Sequence, residues 1–488
     1  MAFDPSIVSV EEEAGQRKAG DIAEPRERVF SAGTLCYTRN GLVSLFGWLL
    51  WGDFAFTFFE AIFSRFLPLY LKDMQASNTL IGVMTGSIAG LVNVLFAPNF
   101  SQWSDRLRSR WGRRIPFLFW VTPITVVSLT VIGFAPELGE WLHGSVIGAW
   151  VPNLGKREMI LTLMCIFVVS YHLFNMVLVN SYNWLLRDVV PENVMVRFLS
   201  WIRIVGTFAS FVFLWLVFPH ILTARKLVCS GIGVFYLISF MAMCWRVKEG
   251  EYPPPPERTK EGPGVIRTYA RYFVTALRLP IYRYYFAGNI IIGAATSSAA
   301  PFMILFASKS LGLSMDNIGK IFAWGSLASG FAYIPMAWVC ERIGALRITL
   351  ISQCIYVVSC VLAYFLVRSA NGWLIYSILI VIPSVAAGLG LMATTMALFP
   401  KESFGQFSSA VNVFGCGGAI VANYLIGVFM DLTNSNYRFV FVWSGIFFAL
   451  GIFPLLVVYK HWKQHGGPHH YVPPVPDCDL LNPAMSAS

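Results

Sequence analysis

"SDRLRSRWGRRIPFLFW" (residues 104–120) sets five arginines and one aspartate between two long apolar runs. Charge this dense is foreign to the rest of the chain, which is 56% apolar and 13% charged over 488 residues, with 40 phenylalanines and 16 tryptophans. Such a composition belongs to a chain solvated by lipid. The arginine-rich stretch is then a loop between two membrane spans, and it sets the frame for the others.

A helix needs about 20 apolar residues to cross the roughly 30 Å hydrocarbon core. Working outward from the loop, twelve runs meet this: 43–71, 79–103, 116–135, 158–186, 198–219, 226–246, 281–308, 317–339, 347–367, 373–399, 404–430 and 437–460. With the N-terminus in the cytoplasm, 25 of the 36 lysines and arginines border that side, nine border the other, and Arg65 and Arg203 fall inside spans. This is the positive-inside bias. It makes the net charge of +10 a matter of topology, and nucleic acid is not expected as a partner. The first 30 residues are polar and acidic, unlike a cleaved signal peptide. The expectation is a multi-pass protein of the cell membrane with both termini cytoplasmic.

The middle of the chain breaks the pattern at "VKEGEYPPPPERTKEGPG" (247–264), which suits neither a span nor a sheet. After it, "VIRTYARYFVTALRL" (265–279) places Ile266, Tyr269, Tyr272, Phe273 and Leu277 on one helical face, the pattern of a helix lying in the membrane interface. The expected parts are a cytoplasmic tail (1–42), a six-helix bundle (43–246), a linker with an interfacial helix (247–280), a second six-helix bundle (281–460) and a cytoplasmic tail (461–488).

The two bundles also repeat each other. "PENVMVRFLSWIRIVG" (191–206) lies on "PKESFGQFSSAVNVFG" (400–415) without gaps, matching Pro191 to Pro400, Phe198 to Phe407, Ser200 to Ser409 and Gly206 to Gly415. The arginine-rich loop has a shortened echo in "ERIGALR" (341–347), with Gly344 in the place of Gly112. The fold expected is an all-α membrane protein of twelve transmembrane helices in two pseudo-symmetric six-helix bundles, the architecture of secondary transporters.

The pattern Asp105-Arg106-x-x-x-Arg110-x-Gly112-Arg113-Arg114-x-Pro116 after the second span resembles the glycoside–pentoside–hexuronide cation symporters, a family that includes plant sucrose transporters, within the major facilitator superfamily. The likeness covers most of residues 43–460. It implies that Asp105, Arg106, Arg110, Gly112, Arg113 and Arg114 form a cytoplasmic gating motif, with Asp105 pairing arginines or capping a helix N-terminus. The other reading is that these arginines only set topology. "NSYNWLLRDVVPE" (180–192) is similar to the family's pattern at the inner end of the fourth span, which implies hinge roles for Arg187 and Asp188.

Charge inside the hydrocarbon core costs about 2.5–3.5 kcal/mol per residue on insertion scales, so a retained one needs a partner or a task. Asp53 and Glu60 stand two turns apart on the first span, and Arg203 lies within the fifth. The second half offers only Asn289, Asn412 and Asn423 at comparable depth, so a strongly polar site is built mainly by the first half.

The resemblance implies a sugar site from Asp53 in "GDFA", Trp184, Arg203, and Asn180 in the place of the family's span-four acid. Carboxylate, guanidinium and indole suit hydroxyls and the apolar face of a sugar ring. A buried ion pair between Asp53 and Arg203 is the alternative. Asp53 and Glu60 are the proton-coupling candidates, and Glu60 has a second reading, facing an external vestibule.

The family's two span-two acids read Asn93 and Ala97 here, and its basic residue on span eleven reads Cys416. Hard cations prefer carboxylate cages, so proton coupling or uncoupled passage is expected here and sodium coupling is not. Desolvation disfavours a charged carboxylate while a nearby guanidinium favours it. Rocking that moves Arg203 relative to Asp53 would therefore load and unload a proton.

The expected function is proton-coupled symport of a sugar or glycoside by a monomer in the bilayer, working by alternating access. Carriage of an amphiphile such as a lysolipid, or ligand sensing without transport, are the alternatives. The nine cysteines read as buried thiols. The His-containing C-terminal tail has no ligand spacing, and neither a phosphate-binding loop nor a nucleophile–base arrangement stands out, so no enzyme, cofactor or metal is expected.

Overall fold

The computed structural model describes residues 30–144, 155–252, 277–400, 404–467 and 471–474. A two-stranded hairpin opens it, β1 (Phe30–Ala32) antiparallel to β2 (Leu35–Tyr37). Helices follow in the order α1 (Arg39–Asp73), α2 (Asn78–Arg106), α3 (Ile115–Gly133), α4 (Ala135–His143), α5 (Lys156–Val189), α6 (Glu192–His220) and α7 (Arg225–Arg246). After the linker come α8 (Pro280–Ser310), α9 (Met315–Ile343), α10 (Ala345–Leu366), α11 (Ala370–Leu398), α12 (Phe404–Leu432) and α13 (Phe439–Gln464).

Eleven of these are long and apolar enough to cross a membrane. Helix α9 is the twelfth long helix, with 29 residues and charges at its ends. With the short α4 lying between spans, the fold is the expected all-α, twelve-span, two-bundle architecture. The interfacial helix expected in the linker, the acidic N-terminal stretch and most of the C-terminal tail lie outside the described residues.

Serines cap the starts of three long helices. Ser77, Ser314 and Ser369 each accept a hydrogen bond from a backbone N–H in the first turn of α2, α9 and α11. Gly112 and Gly344, matched as repeat equivalents, share a backbone that L side chains rarely adopt, at φ +100° and +95°. Their matched neighbours Phe198 and Phe407 are both buried.

The described residues fall into two compact units, those within Met1–Phe66 and Leu95–Pro256 and those within Leu67–Val94 and Glu257–Ser488. The interior of the first is aromatic: Phe63 stacks on Tyr171 at 3.6 Å and Phe59 on Tyr236 at 4.4 Å. The second is built on Tyr282, Tyr285, Phe286, Phe399, Phe407 and Phe448. There the Tyr282 hydroxyl donates to Pro474 O at 2.8 Å and Tyr471 donates to Leu398 O at 3.0 Å, tying residues 471–474 to the helices.

Within the second unit α2 and α12 approach closely. Gly82, Gly86 and Gly90, four residues apart, face α12; a Cβ on Gly82 would lie 2.0 Å from Asn423 O and one on Gly86 2.2 Å from the Asn423 side chain. Small residues let helix backbones meet in this way. Ser87 adds a hydrogen bond to Ile420 O at 2.7 Å. At the start of α2 the Asp431 carboxylate accepts from the backbone N–H groups of Asn78 and Thr79, both at 2.9 Å, and from their side chains at 2.8 and 2.6 Å. We expect Gly82→Ala to lower thermal stability by about 1–3 kcal/mol through overpacking. Gly231→Ala, where a Cβ meets nothing within 4 Å, should be neutral; melting of the purified protein checks both.

Candidate functional site

The loop after α2 is held by a network that begins with a glycine. Gly112 turns the chain so that three successive backbone N–H groups, those of Arg113, Arg114 and Ile115, point at the Glu249 carboxylate at 2.9, 2.8 and 2.7 Å. Those of Arg114 and Ile115 are orphan donors at the N-terminus of α3, where a carboxylate also meets the helix dipole favourably. A Cβ on Gly112 would lie 2.4 Å from the Glu249 carboxyl carbon, so both the turn and the close approach require glycine.

The arginine side chains go the other way. Arg113 forms a forked pair with Asp188, Nη2 donating to both oxygens at 3.0 Å and Nε at 3.3 Å. Arg114, 4% exposed, donates to Ser104 and Asp105, and its guanidinium covers the Trp184 ring at 4.5 Å. Tyr252 closes the network, its hydroxyl donating to Asp188 at 3.1 Å and Glu249 at 3.0 Å under the Arg113 guanidinium. Burial, then the charges of Glu249 and Asp188, hold this phenol well above the ordinary tyrosine range. Burial alone would favour neutral Arg113, but the hydrogen bond and charge of Asp188 outweigh it and the guanidinium is more firmly protonated than usual.

Of the loop residues singled out from sequence, Asp105, Gly112, Arg113 and Arg114 meet in this network, with Asp105 pairing arginines. Arg106 and Arg110 are exposed and make no ion pair among the described residues. Arg187 is exposed, while Asp188 is the main acceptor. Glu249 and Tyr252 were not anticipated. Neither was the hairpin, whose Thr34 hydroxyl accepts from Glu251 N at 2.9 Å beside Gly250.

The intramembrane candidates lie elsewhere in the same unit. Asp53 is 7% exposed, and its Oδ2 is buried without a hydrogen-bond partner among the described residues. It faces α6 at Gly206, where a Cβ would sit 3.8 Å from Asp53 Oδ2 and 3.6 Å from Thr57 Oγ1. Asp53, Thr57 and Glu60 repeat at helical spacing along α1, and Gly206 of α6 lies against the first two, with Arg203 one turn before it.

Arg203 is exposed and within electrostatic reach of Asp53, yet no ion pair within 4.0 Å joins them among the described residues. Glu60 is exposed and within reach of Asp53 and the Tyr171 phenol. Asn180 spends its amide N–H on Met176 O at 3.0 Å of its own helix. Trp184 is stacked on Phe100 at 5.7 Å and covered by Arg114, so its ring is engaged by the loop network. Thr57 and Gly206 are additions. Thr57 was legible as the residue one turn beyond Asp53; Gly206 gave no such signal, since its value lies in what it leaves room for.

The sequence profile of the MFS/sugar transport proteins matches residues 49–401. The chain belongs to that family. It is a multi-pass membrane transporter. No curated protein matches it. Among solved structures it is similar to a bacterial homologue of the human lysosomal transporter Spinster, with 12% identity, TM-score 0.63, and 87% of this chain and 98% of that one covered. It is also similar to a bacterial homologue of the iron transporter ferroportin, at 14%, 0.63, 86% and 99%. The nucleoside transporter NupG gives 14%, 0.60, 85% and 100%. At these identities the likeness is one of fold. For an MFS/sugar transport protein, small-molecule movement through a bilayer is the frame in which the buried Asp53 and the charged loop are to be understood.

Proposed function

We propose that this transporter carries a sugar or glycoside together with a proton by alternating access, with Asp53 as the residue where solute and proton meet. The observation that supports this most is the buried Asp53 oxygen without a partner among the described residues, flanked by Thr57, by the bare backbone at Gly206 and by the nearby Arg203 charge. A buried carboxylate oxygen lacking a hydrogen bond is costly. A proton or a solute hydroxyl relieves that cost, and Arg203, not locked onto Asp53, is available to donate to the solute. Glu60 continues the polar line and is the second proton carrier in this reading, while Asn180 would line the solute path and Trp184, held between Phe100 and Arg114, belongs to the gate.

The network of Asp105, Arg113, Arg114, Asp188, Glu249 and Tyr252 is the gating element in this reading. Ion pairs that form and break at helix ends separate alternative arrangements of a transporter. The loop charges orient both termini to the cytoplasm, and the two six-helix bundles at 43–246 and 281–460 are the moving parts. Uptake by purified protein in vesicles, against a panel of mono- and disaccharides with imposed pH or sodium gradients, tests this. We expect accumulation of at least one sugar under an inward proton gradient and none driven by sodium. Transport of lysolipids but of no sugar would overturn the substrate class.

A further inference from the structure

Helices α10 and α13 pack together antiparallel, with Tyr356 stacked on Phe448 at 4.5 Å, and each shows a stripe of exposed apolar residues. On α10 the stripe runs through Ile351, Ile355, Val358 and Leu362; on α13 through Ile446, Leu450, Phe453 and Leu456. In a membrane protein these stripes face acyl chains. Both end in cations at the same end of the helix pair. Arg347 lies one turn before Ile351, and Lys460 and Lys463 follow Leu456.

Lysines and arginines at helix ends commonly snorkel toward water, each on its own. Here two of them converge on one ring. Arg347 donates from Nε to the Tyr459 hydroxyl at 3.2 Å, and Lys463 Nζ stands 5.3 Å from the centre of the same ring. Arg347 and Lys463 are exposed, and among the described residues neither takes part in an ion pair. Two like charges held against one phenol repel each other, a cost that an anion lying between them relieves. Trp462, stacked on Tyr459 at 6.0 Å, supplies the aromatic surface typical of the headgroup level.

We propose that Arg347, Tyr459 and Lys463 form a seat for an anionic phospholipid. The phosphate is held by the Arg347 Nη groups and the Lys463 ammonium, and the acyl chains lie along the stripes below. The seat is independent of the transported solute and of the reading of Asp53. Basic clusters between spans recognise acidic headgroups, at about fivefold in affinity per cation.

The test titrates full-length, delipidated protein with phosphatidylglycerol or phosphatidylcholine and counts bound lipids by native mass spectrometry. We expect phosphatidylglycerol to be retained over phosphatidylcholine. Arg347→Gln and Lys463→Gln should each weaken it about fivefold, while Arg347→Lys keeps most of it. Inorganic phosphate should not compete, because it lacks the chains. Arg342→Gln, which removes an equal charge from the end of α9, should leave retention unchanged. Equal retention of the two lipids, competition by free phosphate, or a loss in Arg342→Gln as large as in Arg347→Gln would overturn the proposal. Unchanged melting of each variant assigns any loss to the seat.

Discussion

Asp53→Asn is expected to abolish proton-driven accumulation while leaving solute exchange. For one proton per solute, a pH step of one unit drives about tenfold accumulation, the equivalent of about 1.4 kcal/mol. In the variant the ratio should fall to about one. The amide has nearly the shape of the carboxyl group and still offers a donor and an acceptor to a hydroxyl, so exchange of labelled against unlabelled sugar should persist at reduced affinity. The contrast separates coupling from binding. Thr57→Ala and Gly206→Ala serve as neighbours: the first removes a polar partner, and the second places a methyl group 3.8 Å from Asp53 Oδ2. Both should weaken sugar affinity without cancelling the response to the proton gradient. A variant Asp53→Asn that still concentrates sugar would remove Asp53 from the coupling mechanism.

The second large effect is expected at Glu249. Its carboxylate takes three backbone N–H groups at the start of α3 and the Tyr252 hydroxyl besides. Hydrogen bonds to a charged acceptor, together with a helix cap, make Glu249→Ala destabilising by about 2–4 kcal/mol. Glu249→Gln keeps one acceptor oxygen and should lose less. Gly112→Ala should approach the alanine variant, because the new methyl group would collide with Glu249 on a backbone already at φ +100°. Arg106→Gln, at an exposed side chain in the same loop, should stay within about 0.5 kcal/mol of the parent. Thermal melting in detergent distinguishes these. If Glu249→Ala and Arg106→Gln melted alike, the cap would have no energetic role.

Membrane proteins write their fold into sequence strongly because lipid demands long apolar helices with every backbone group satisfied. The spans, their number and the repeat were therefore readable in advance. Gly112 and Gly344 were matched as letters, and their shared positive φ gives the match a physical cause. The loop arginines announced themselves by charge. Their partner Glu249 did not, because it lies 135 residues beyond Arg114 in a stretch whose composition reads only as a linker.

Pairing at such a distance is set by tertiary structure, and no local pattern encodes it. The same holds for Trp184. The family resemblance implies a sugar platform there, yet its ring is the one Arg114 rests on. Likewise, the spacing of Gly82, Gly86 and Gly90 is visible in sequence, but that α12 is their partner is not. At Asp53 the sequence shows the charge, and only the structure shows that one oxygen is shut away without a donor among the described residues and that Arg203 makes no ion pair with it.

The most direct test is the proton that moves with the solute. Sugar added to lightly buffered vesicles containing the protein, with no gradient imposed, should make the external medium more alkaline as proton and solute enter together. Vesicles with Asp53→Asn should take up sugar without any pH change. Sugar entry by the parent protein with no change in external pH, or alkalinisation that survives the loss of the Asp53 carboxylate, would contradict the account.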